Sequence, residues 1–158
     1  MSTFAYATDP DFFADPFFQK GADPAVVAQL RDPARQAQMA KSTSALRYRA
    51  GLEVAMANAK RLADAGVTLA SGTDTGPPAR FQGYFEHLEL DLLARAGLTP
   101  PQILKAATGD AARCMGLRDV GVLRPGAWAD FIVVTGDPLQ DIKATKTLTA
   151  VYIGGQRQ

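Results

Sequence analysis

One feature limits the fold of this chain more than any other. It is a long helical pattern that stops at a glycine and passes directly into a short apolar run. From Ser42 to Ala63, small and apolar residues recur at three- and four-residue spacing, which predicts an amphipathic helix. Gly66 is its expected end, because glycine readily adopts the left-handed conformation that closes helices. The apolar run at residues 67–71 then predicts a buried strand. A helix followed at once by a buried strand is typical of an α/β fold with parallel strands.

One acidic residue, Asp74, follows this run in the stretch Gly-Thr-Asp-Thr-Gly at residues 72–76. In parallel α/β folds, functional side chains gather beyond the carboxyl ends of the strands, because the loops there converge on one mouth. A carboxylate in that place can bind a metal ion or accept a proton from a metal-bound water. It can equally form an Asx turn by bonding to the backbone near Gly76. The pattern alone leaves both interpretations open.

The first 41 residues combine aromatic residues with Asp-Pro pairs. They contain five of the eight phenylalanines and four Asp-Pro pairs. Asp as the cap and Pro as the first helical residue favour a helix start, so short helices are predicted after Asp15, Asp23 and Asp32. A long aromatic segment is either a lid over a functional site or a cover over a hydrophobic core. Both interpretations stay open at this point.

Three further helices are predicted after Asp74. The first is expected at about residues 86–96, with Gly97 as its end. Thr99 and Gln102 match a capping box for the second helix, and Asp110 is the expected cap of the third.

The last forty residues predict antiparallel strands. Pro125 and Gly126 are the pair that a type II turn requires, and they separate the first two strands. The predicted strands cover residues 120–123, 127–134 and 147–153.

Composition excludes several classes of partner. The formal net charge is +1 and the basic residues are scattered, so neither nucleic acid nor a membrane surface is an expected partner. No apolar stretch approaches the roughly 20 residues needed to span a bilayer. The start of the chain lacks a signal-peptide pattern, so the chain as given is expected in the cytoplasm. The single cysteine excludes an internal disulfide and a cysteine-rich zinc site.

Three stretches carry a resemblance to a known family. They read AGVTLASGTDTG at residues 65–76, HLELDLLARAGLTPPQILKAAT at residues 87–108 and GVLRPGAWADFIVVTGDPL at residues 121–139. In this order and spacing they resemble the closing third of the metal-dependent amidohydrolase superfamily. The nearest members are the imidazolonepropionase-like and prolidase-like enzymes, and the resemblance covers about residues 46–155.

The resemblance implies a fold and a division into domains. The fold would be the C-terminal part of a (β/α)₈ barrel, namely its last two strands and helices, followed by part of a small β-sandwich. Residues 67–72 would be the eighth barrel strand, and residues 2–8 the seventh. The partial barrel would cover residues 1–117, with an irregular lid-like segment at 1–41 and the last βα units at 42–117. The partial sandwich would cover residues 118–158.

The resemblance also implies hydrolysis of carbon–nitrogen bonds by metal-activated water. In that superfamily the acid after the last barrel strand binds the metal, accepts a proton from the attacking water and helps to protonate the leaving amine. This is the role implied for Asp74. The implied cofactor is a divalent metal, first of all zinc, and the implied substrate is a small amide, lactam or dipeptide-like molecule. Thr73 and Thr75 flank the acid and are expected to orient it.

The other metal ligands of the family are not found in this sequence. The family uses a His-x-His pair, a lysine or acid from a middle strand and two further histidines. This chain has one histidine, His87, inside a predicted helix, where a structural or ligand-supporting role is expected. A catalytic zinc normally takes three protein ligands, and Asp74 is the one convincing candidate.

The chain is therefore expected to be an incomplete hydrolase that is inactive alone and forms an oligomer or binds a complementary chain. The alternative is a catalytically incomplete fragment that serves only as a structural or association module. Two further motif residues have expected structural roles. Asp130 is expected to hydrogen-bond at a strand end, and Trp128 is expected to pack in the small β domain.

Overall fold

Helices make up most of the described part of the computed structural model, which comprises Met1, residues 10–76 and residues 80–158. The predicted seventh barrel strand at residues 2–8 lies outside these described residues. A 3₁₀ helix, Pro10–Ala14, is followed by three short α-helices. They are α1 (Pro16–Gln19), α2 (Pro24–Leu30) and α3 (Pro33–Ala40).

The predicted Asp-Pro helix starts are confirmed. At each start the aspartate side chain accepts a hydrogen bond of 2.8 Å from a backbone N–H two or three residues further on. This contact satisfies one of the N–H groups that the first helical turn leaves without a partner. The capping residues are Asp15, Asp23 and Asp32.

The long predicted helix is also confirmed, as α4 (Thr43–Asp64). Ser42 caps it by accepting a 3.0 Å hydrogen bond from the N–H of Ala45. Gly66, just beyond its end, has a φ of +75°, which a residue with a Cβ atom rarely adopts.

Three helices follow Gly83. They are α5 (Tyr84–Arg95), α6 (Pro100–Ala107) and α7 (Gly109–Cys114). The capping box of α6 is confirmed, since the N–H of Thr99 donates to Oε1 of Gln102 at 2.8 Å.

The prediction that Asp110 caps α7 is wrong. The helix begins at Gly109, two residues earlier than predicted, with Thr108 in the cap position, and Asp110 lies buried within its first turn. Its carboxylate forms ion pairs with two cations instead. Arg113 contacts Oδ1, and the Nζ of Lys105 lies 3.6 Å from Oδ2.

The prediction of a buried strand at residues 67–71 is wrong. These residues form neither helix nor strand, and the side chain of Val67 is about half exposed. A strand exists only where a neighbouring strand accepts and donates its backbone hydrogen bonds, and none of the described residues forms such a neighbour. The N–H of Ser71 donates instead to the carbonyl of Ala106 in α6, at 2.9 Å.

The C-terminal residues form a small antiparallel sheet in the order β1-β2-β3. Its strands are β1 (Phe131–Val134), β2 (Leu148–Ile153) and β3 (Gln156–Arg157). The last predicted strand is thus confirmed to within a residue, and the second is confirmed only in its latter half. Phe131 lies opposite Tyr152 in the register of β1 and β2, and their rings stack with centroids 4.6 Å apart.

The predicted strand at residues 120–123 is wrong, although the turn beside it forms. The N–H of Ala127 donates to the carbonyl of Arg124 at 3.1 Å, and Gly126 has the positive φ, +84°, that a type II turn requires. Only one backbone contact joins the two arms, from the N–H of Trp128 to the carbonyl of Asp119 at 2.8 Å. A single contact of this kind does not make a ladder.

The expectations for the two motif residues of the tail have opposite outcomes. Asp130 does hydrogen-bond at the strand end, since its Oδ1 accepts from the N–H of Gly154 at 2.6 Å. The prediction that Trp128 packs in the β domain is wrong, because its side chain is 64% exposed.

The aromatic segment at the start of the chain covers a hydrophobic core. Phe12, Phe13 and Phe18 are buried against Tyr84 and Phe85 at the start of α5. Their rings meet mostly edge to face, the arrangement that aromatic pairs favour. Of the two interpretations left open by the sequence, core cover is the one that the described residues show.

Helix α5 is the centre of the described fold. Its Leu92 packs with Leu52 and Met56 of α4, and its Leu90 and Leu93 pack with α6 and with Ile142 of the tail. The tail therefore joins the helical core through a second 3₁₀ helix, Ile142–Lys146. The described architecture is α/β with a small antiparallel sheet. No described helix has the length and apolar character to cross a membrane.

Candidate active site

Asp74 stands out by its backbone. It is the single non-glycine residue with positive φ, +53°, in the described part of the chain. In this left-handed region the Cβ atom crowds the neighbouring carbonyl, which costs about 1–2 kcal/mol for most residues and less for Asp and Asn. Strained residues of this kind persist only when their surroundings hold them, and they cluster at functional sites.

Arg80 holds the two carbonyls on either side of this residue. Its side chain is buried, with 6% of the residue exposed. Its Nη2 atom donates to the carbonyl of Thr73 at 2.9 Å and to the carbonyl of Asp74 at 2.5 Å. In return, the carbonyl of Arg80 accepts from the N–H of Gly76 at 3.0 Å. The loop from Thr73 to Gly76 is therefore closed by one residue.

Glu86, in the first turn of α5, ties the same loop to the helix. Its Oε1 accepts from the hydroxyl of Thr73 at 2.8 Å, and its Oε2 accepts from the N–H of Gly83 at 2.5 Å. A carboxylate is also favoured electrostatically at a helix N-terminus. Thr73 thus forms hydrogen bonds with both residues that fix the loop. Its side chain bonds to Glu86 and its carbonyl bonds to Arg80.

The carboxylate of Asp74 is left for other partners. It is exposed, and it accepts no hydrogen bond from any described residue. The Asx turn that the sequence left open does not form, because the N–H of Gly76 donates to the carbonyl of Arg80 and not to Asp74. Thr75 also makes no side-chain hydrogen bond with a described residue, so its orienting role stays a prediction.

His87 faces the tail. Its Nδ1 lies 3.0 Å from Oγ1 of Thr145, and its ring packs edge-on against Phe17. The hydroxyl of Thr145 donates its proton to the carbonyl of Ile142 at 2.7 Å. The oxygen must therefore accept from an Nδ1–H of the imidazole, which leaves the lone pair of the neutral ring on Nε2.

Burial lowers the pKa of His87 from its usual value. The positive charge of Lys146 lowers it further, whereas Asp91 and Glu86 oppose the shift. A neutral imidazole is therefore favoured in the folded chain. Among the described residues His87 forms no hydrogen bond or ion pair with residues 72–76, so its structural or ligand-supporting role stays a prediction.

The described residues do not make a metal site by themselves. No group of three or more His, Cys, Asp and Glu side chains within the described ranges is arranged to hold a metal ion. Asp74 offers carboxylate oxygens that suit a divalent cation, but a catalytic zinc normally needs three protein ligands.

Sequence reasoning located Asp74 but missed the two residues that hold its loop. Arg80 follows a glycine- and proline-rich stretch of the sequence, and nothing in the neighbouring sequence marks it as buried. Glu86 had a detectable pattern, since an acid three residues after Gly83 at a helix start is a capping arrangement.

Comparison with known proteins gives a consistent family. The Amidohydrolase family matches residues 21–157. The imidazolonepropionase of Deinococcus deserti is 42% identical over 87 residues, which is 54% of this chain and 22% of that protein. The ochratoxinase of Aspergillus niger is 42% identical over 98 residues, which is 58% of this chain and 19% of that protein.

A solved structure agrees with these relatives. The amidohydrolase of Thermotoga maritima superposes with a TM-score of 0.53 at 30% identity, over 65% of this chain and 25% of that one. The chain spans about a fifth of the length of the two curated relatives. The match to the family model covers most of the chain, so the chain belongs to the amidohydrolase family. Imidazolonepropionases are among the relatives of this chain in the family, as the sequence motifs indicated.

Proposed function

We propose that this chain supplies the Asp74 carboxylate of a hydrolase that cleaves carbon–nitrogen bonds in small molecules. One observation carries the proposal. Asp74 is held in a strained backbone conformation by Arg80, while its own carboxylate accepts no hydrogen bond from a described residue. A structural aspartate normally uses its carboxylate to satisfy neighbouring N–H groups, as Asp15 does at the start of α1.

The carboxylate would act as an acid–base group. It would accept a proton from the attacking water and return it to the nitrogen of the leaving amine. A divalent metal, zinc in the first place, would lower the pKa of that water toward neutrality when bound. Asp74 would be one ligand of that ion, and the remaining ligands would come from residues outside those described. The substrate class proposed is a small amide, lactam or dipeptide-like molecule.

The architecture supports a chain that completes its site with further polypeptide. Residues 1–117 would form part of a (β/α)₈ barrel, in which residues 67–71 would find the strand neighbours that they lack among the described residues. Residues 118–158 would form part of a β-sandwich, whose second layer would cover the exposed sheet. The partner would be a complementary chain or further copies of this one.

A second function is favoured by the ligand count. The described residues hold no cluster that could bind a metal, so the chain could serve only as a structural module for a partner. The two functions differ in one respect, because only the hydrolase needs the charge of Asp74.

Asp74→Asn tests the proposal. The chain would be tagged in the cells that encode it, isolated with its associated polypeptides and assayed with zinc on an N-acetyl amino acid, a lactam and a dipeptide. The asparagine keeps size and shape but removes most of the basicity, so turnover should fall by about 10²–10⁴. Asp64→Asn is the matched control, since Asp64 lies on the surface of α4 and pairs with Lys60.

Normal turnover by the Asp74→Asn preparation would contradict a role for this carboxylate in the chemistry. Absence of hydrolysis from every wild-type preparation would favour the structural module.

A further inference from the structure

We propose that Arg80 and Glu86 are positioning residues, which hold the backbone of Asp74 in its left-handed conformation and so fix the direction of its carboxylate. The purpose of this arrangement rests on the proposed function, whereas the arrangement itself can be measured without any hydrolysis. Neither residue forms a hydrogen bond or an ion pair with the carboxylate of Asp74. Their effect would pass entirely through the backbone.

The contacts of Arg80 depend directly on the conformation of Asp74. The directions of two consecutive carbonyls relative to each other are set by the φ and ψ angles of the residue between their peptide planes. For the carbonyls of Thr73 and Asp74, that residue is Asp74 itself. One atom, Nη2 of Arg80, donates to both carbonyls, so both hydrogen bonds form together only within a narrow range of those angles.

Burial makes this contact a strong constraint. Arg80 is almost fully removed from solvent, and a buried cation is stable only when polar groups replace the water around it. Rotation of Asp74 out of the left-handed region would withdraw a carbonyl from the guanidinium. The two N–H bonds of Nη2 are held in the plane of the guanidinium, so they suit this arrangement better than the rotating donors of a lysine ammonium.

Glu86 fixes the residue before Asp74 and connects the loop to a rigid element. It accepts from the hydroxyl of Thr73 and from the N–H of Gly83. It lies beside Phe85, which is fully buried in the aromatic core. Glu86 therefore fixes the position of the loop relative to α5, the helix at the centre of the described fold. The position of the Asp74 carboxylate is fixed relative to the same helix.

Nuclear magnetic resonance of the full labelled chain tests the proposal. The three-bond H–N–Cα–H coupling and the ¹³Cα and ¹³Cβ shifts of Asp74 report its backbone conformation, and the amide exchange rate of Gly76 reports closure of the loop. In Arg80→Met the signature of Asp74 should leave the left-handed range. Exchange at Gly76 should become about tenfold faster, the loss expected for hydrogen bonds to a charged group.

Two further variants guard against simple unfolding. Arg80→Lys keeps the buried charge and should give an intermediate signature at Asp74. Thr73→Val keeps the shape of Thr73 but removes the hydroxyl that Glu86 accepts from, and exchange at Gly76 should become about threefold faster. Arg124→Met is the matched control, because Arg124 also binds a backbone carbonyl but lies on the surface of the tail.

A loss of stability with an unchanged left-handed signature at Asp74 in all Arg80 variants would overturn the positioning role of Arg80. An unchanged exchange rate in Thr73→Val would overturn that of Glu86. These measurements do not involve hydrolysis, so they can fail while the Asp74→Asn assay succeeds, and the reverse.

Discussion

Helix α5 and the C-terminal sheet differ in how completely they are covered. Six residues of α5 are buried, and the helix packs against α4, α6 and the tail. In β1, by contrast, Phe131, Ile132 and Val133 are 37%, 49% and 40% exposed. Successive residues of a strand point to opposite faces, so both faces of this sheet carry uncovered apolar side chains. The region around α5 buries its apolar side chains in a closed core. The sheet has apolar side chains typical of a core, but the described residues leave them partly exposed.

This difference indicates where the chain is self-sufficient. The helices around α5 satisfy their backbone groups internally and bury their apolar faces against one another. The sheet satisfies its groups only between its own strands, and the outer edge of β1 pairs with no described strand. Exposed apolar faces next to an open strand edge are typical of surfaces that another chain or segment covers.

A matched pair of truncations should show the largest effect. Phe18→Ala removes a fully buried ring from the aromatic core, and we expect the free energy of unfolding to fall by about 3–5 kcal/mol. Phe131→Ala removes a ring that stacks on Tyr152 but is partly exposed, and we expect a loss of about 1 kcal/mol. Urea denaturation followed by circular dichroism measures both. Equal losses would show that the sheet is as well packed as the helical core.

Association through the sheet should be the next largest effect. Size-exclusion chromatography with light scattering should give a mass above that of one chain, or material lost to aggregation. Ile132→Lys places a charge on an uncovered face of β1 and should shift the distribution toward the monomer. Leu46→Lys, at an exposed position of α4, is the control and should not. A monomeric wild-type chain with a sharp cooperative melt would contradict the incomplete sheet.

The smallest effect is expected at the junction of the two regions, where His87 of α5 meets Thr145 of the tail. The folded pKa of His87 is lowered by burial, so between that value and the unfolded value near 6.5 the unfolded chain binds more protons. Stability should therefore fall as the pH falls through this window and level off below the folded pKa. Above the unfolded pKa the imidazole is neutral in both the folded and the unfolded chain, so His87 causes no loss of stability there.

Denaturation midpoints measured from pH 5 to pH 8 would show this dependence. His87 is the only histidine in the chain, so His87→Asn should remove the part of the slope that lies near neutrality. A slope unchanged by that substitution would show that groups other than His87 cause it.

The sequence predicted helices better than strands for a physical reason. A helix forms its hydrogen bonds within itself, so caps such as Asp15, Ser42 and Thr99 define its ends locally. A strand depends on a neighbour that can lie anywhere in the chain or outside it. The apolar run at residues 67–71 has the composition of a strand and lacks that neighbour among the described residues. The same reason explains the failure at residues 120–123.

The candidate site shows a similar limit. The position of Asp74 beyond an apolar run, together with its glycine-rich motif, was enough to single it out. Arg80 and Glu86 act through hydrogen bonds to backbone carbonyls and a hydroxyl, which depend on how the loop folds back. The contact of Glu86 with the N–H of Gly83 follows a capping spacing. The contacts with Thr73 and Asp74 have no fixed spacing in the sequence, so only the three-dimensional arrangement identifies them.

Metal binding by the unmodified chain tests the account most directly. The purified chain would be incubated with zinc, dialysed and analysed for metal content, and amide and lactam hydrolysis would be measured on the same sample. Because the described residues supply one convincing ligand, we expect far less than one zinc per chain and no hydrolysis above the rate of zinc alone. One tightly held zinc per chain, with turnover that Asp74→Asn abolishes, would show instead that this chain completes its own active site.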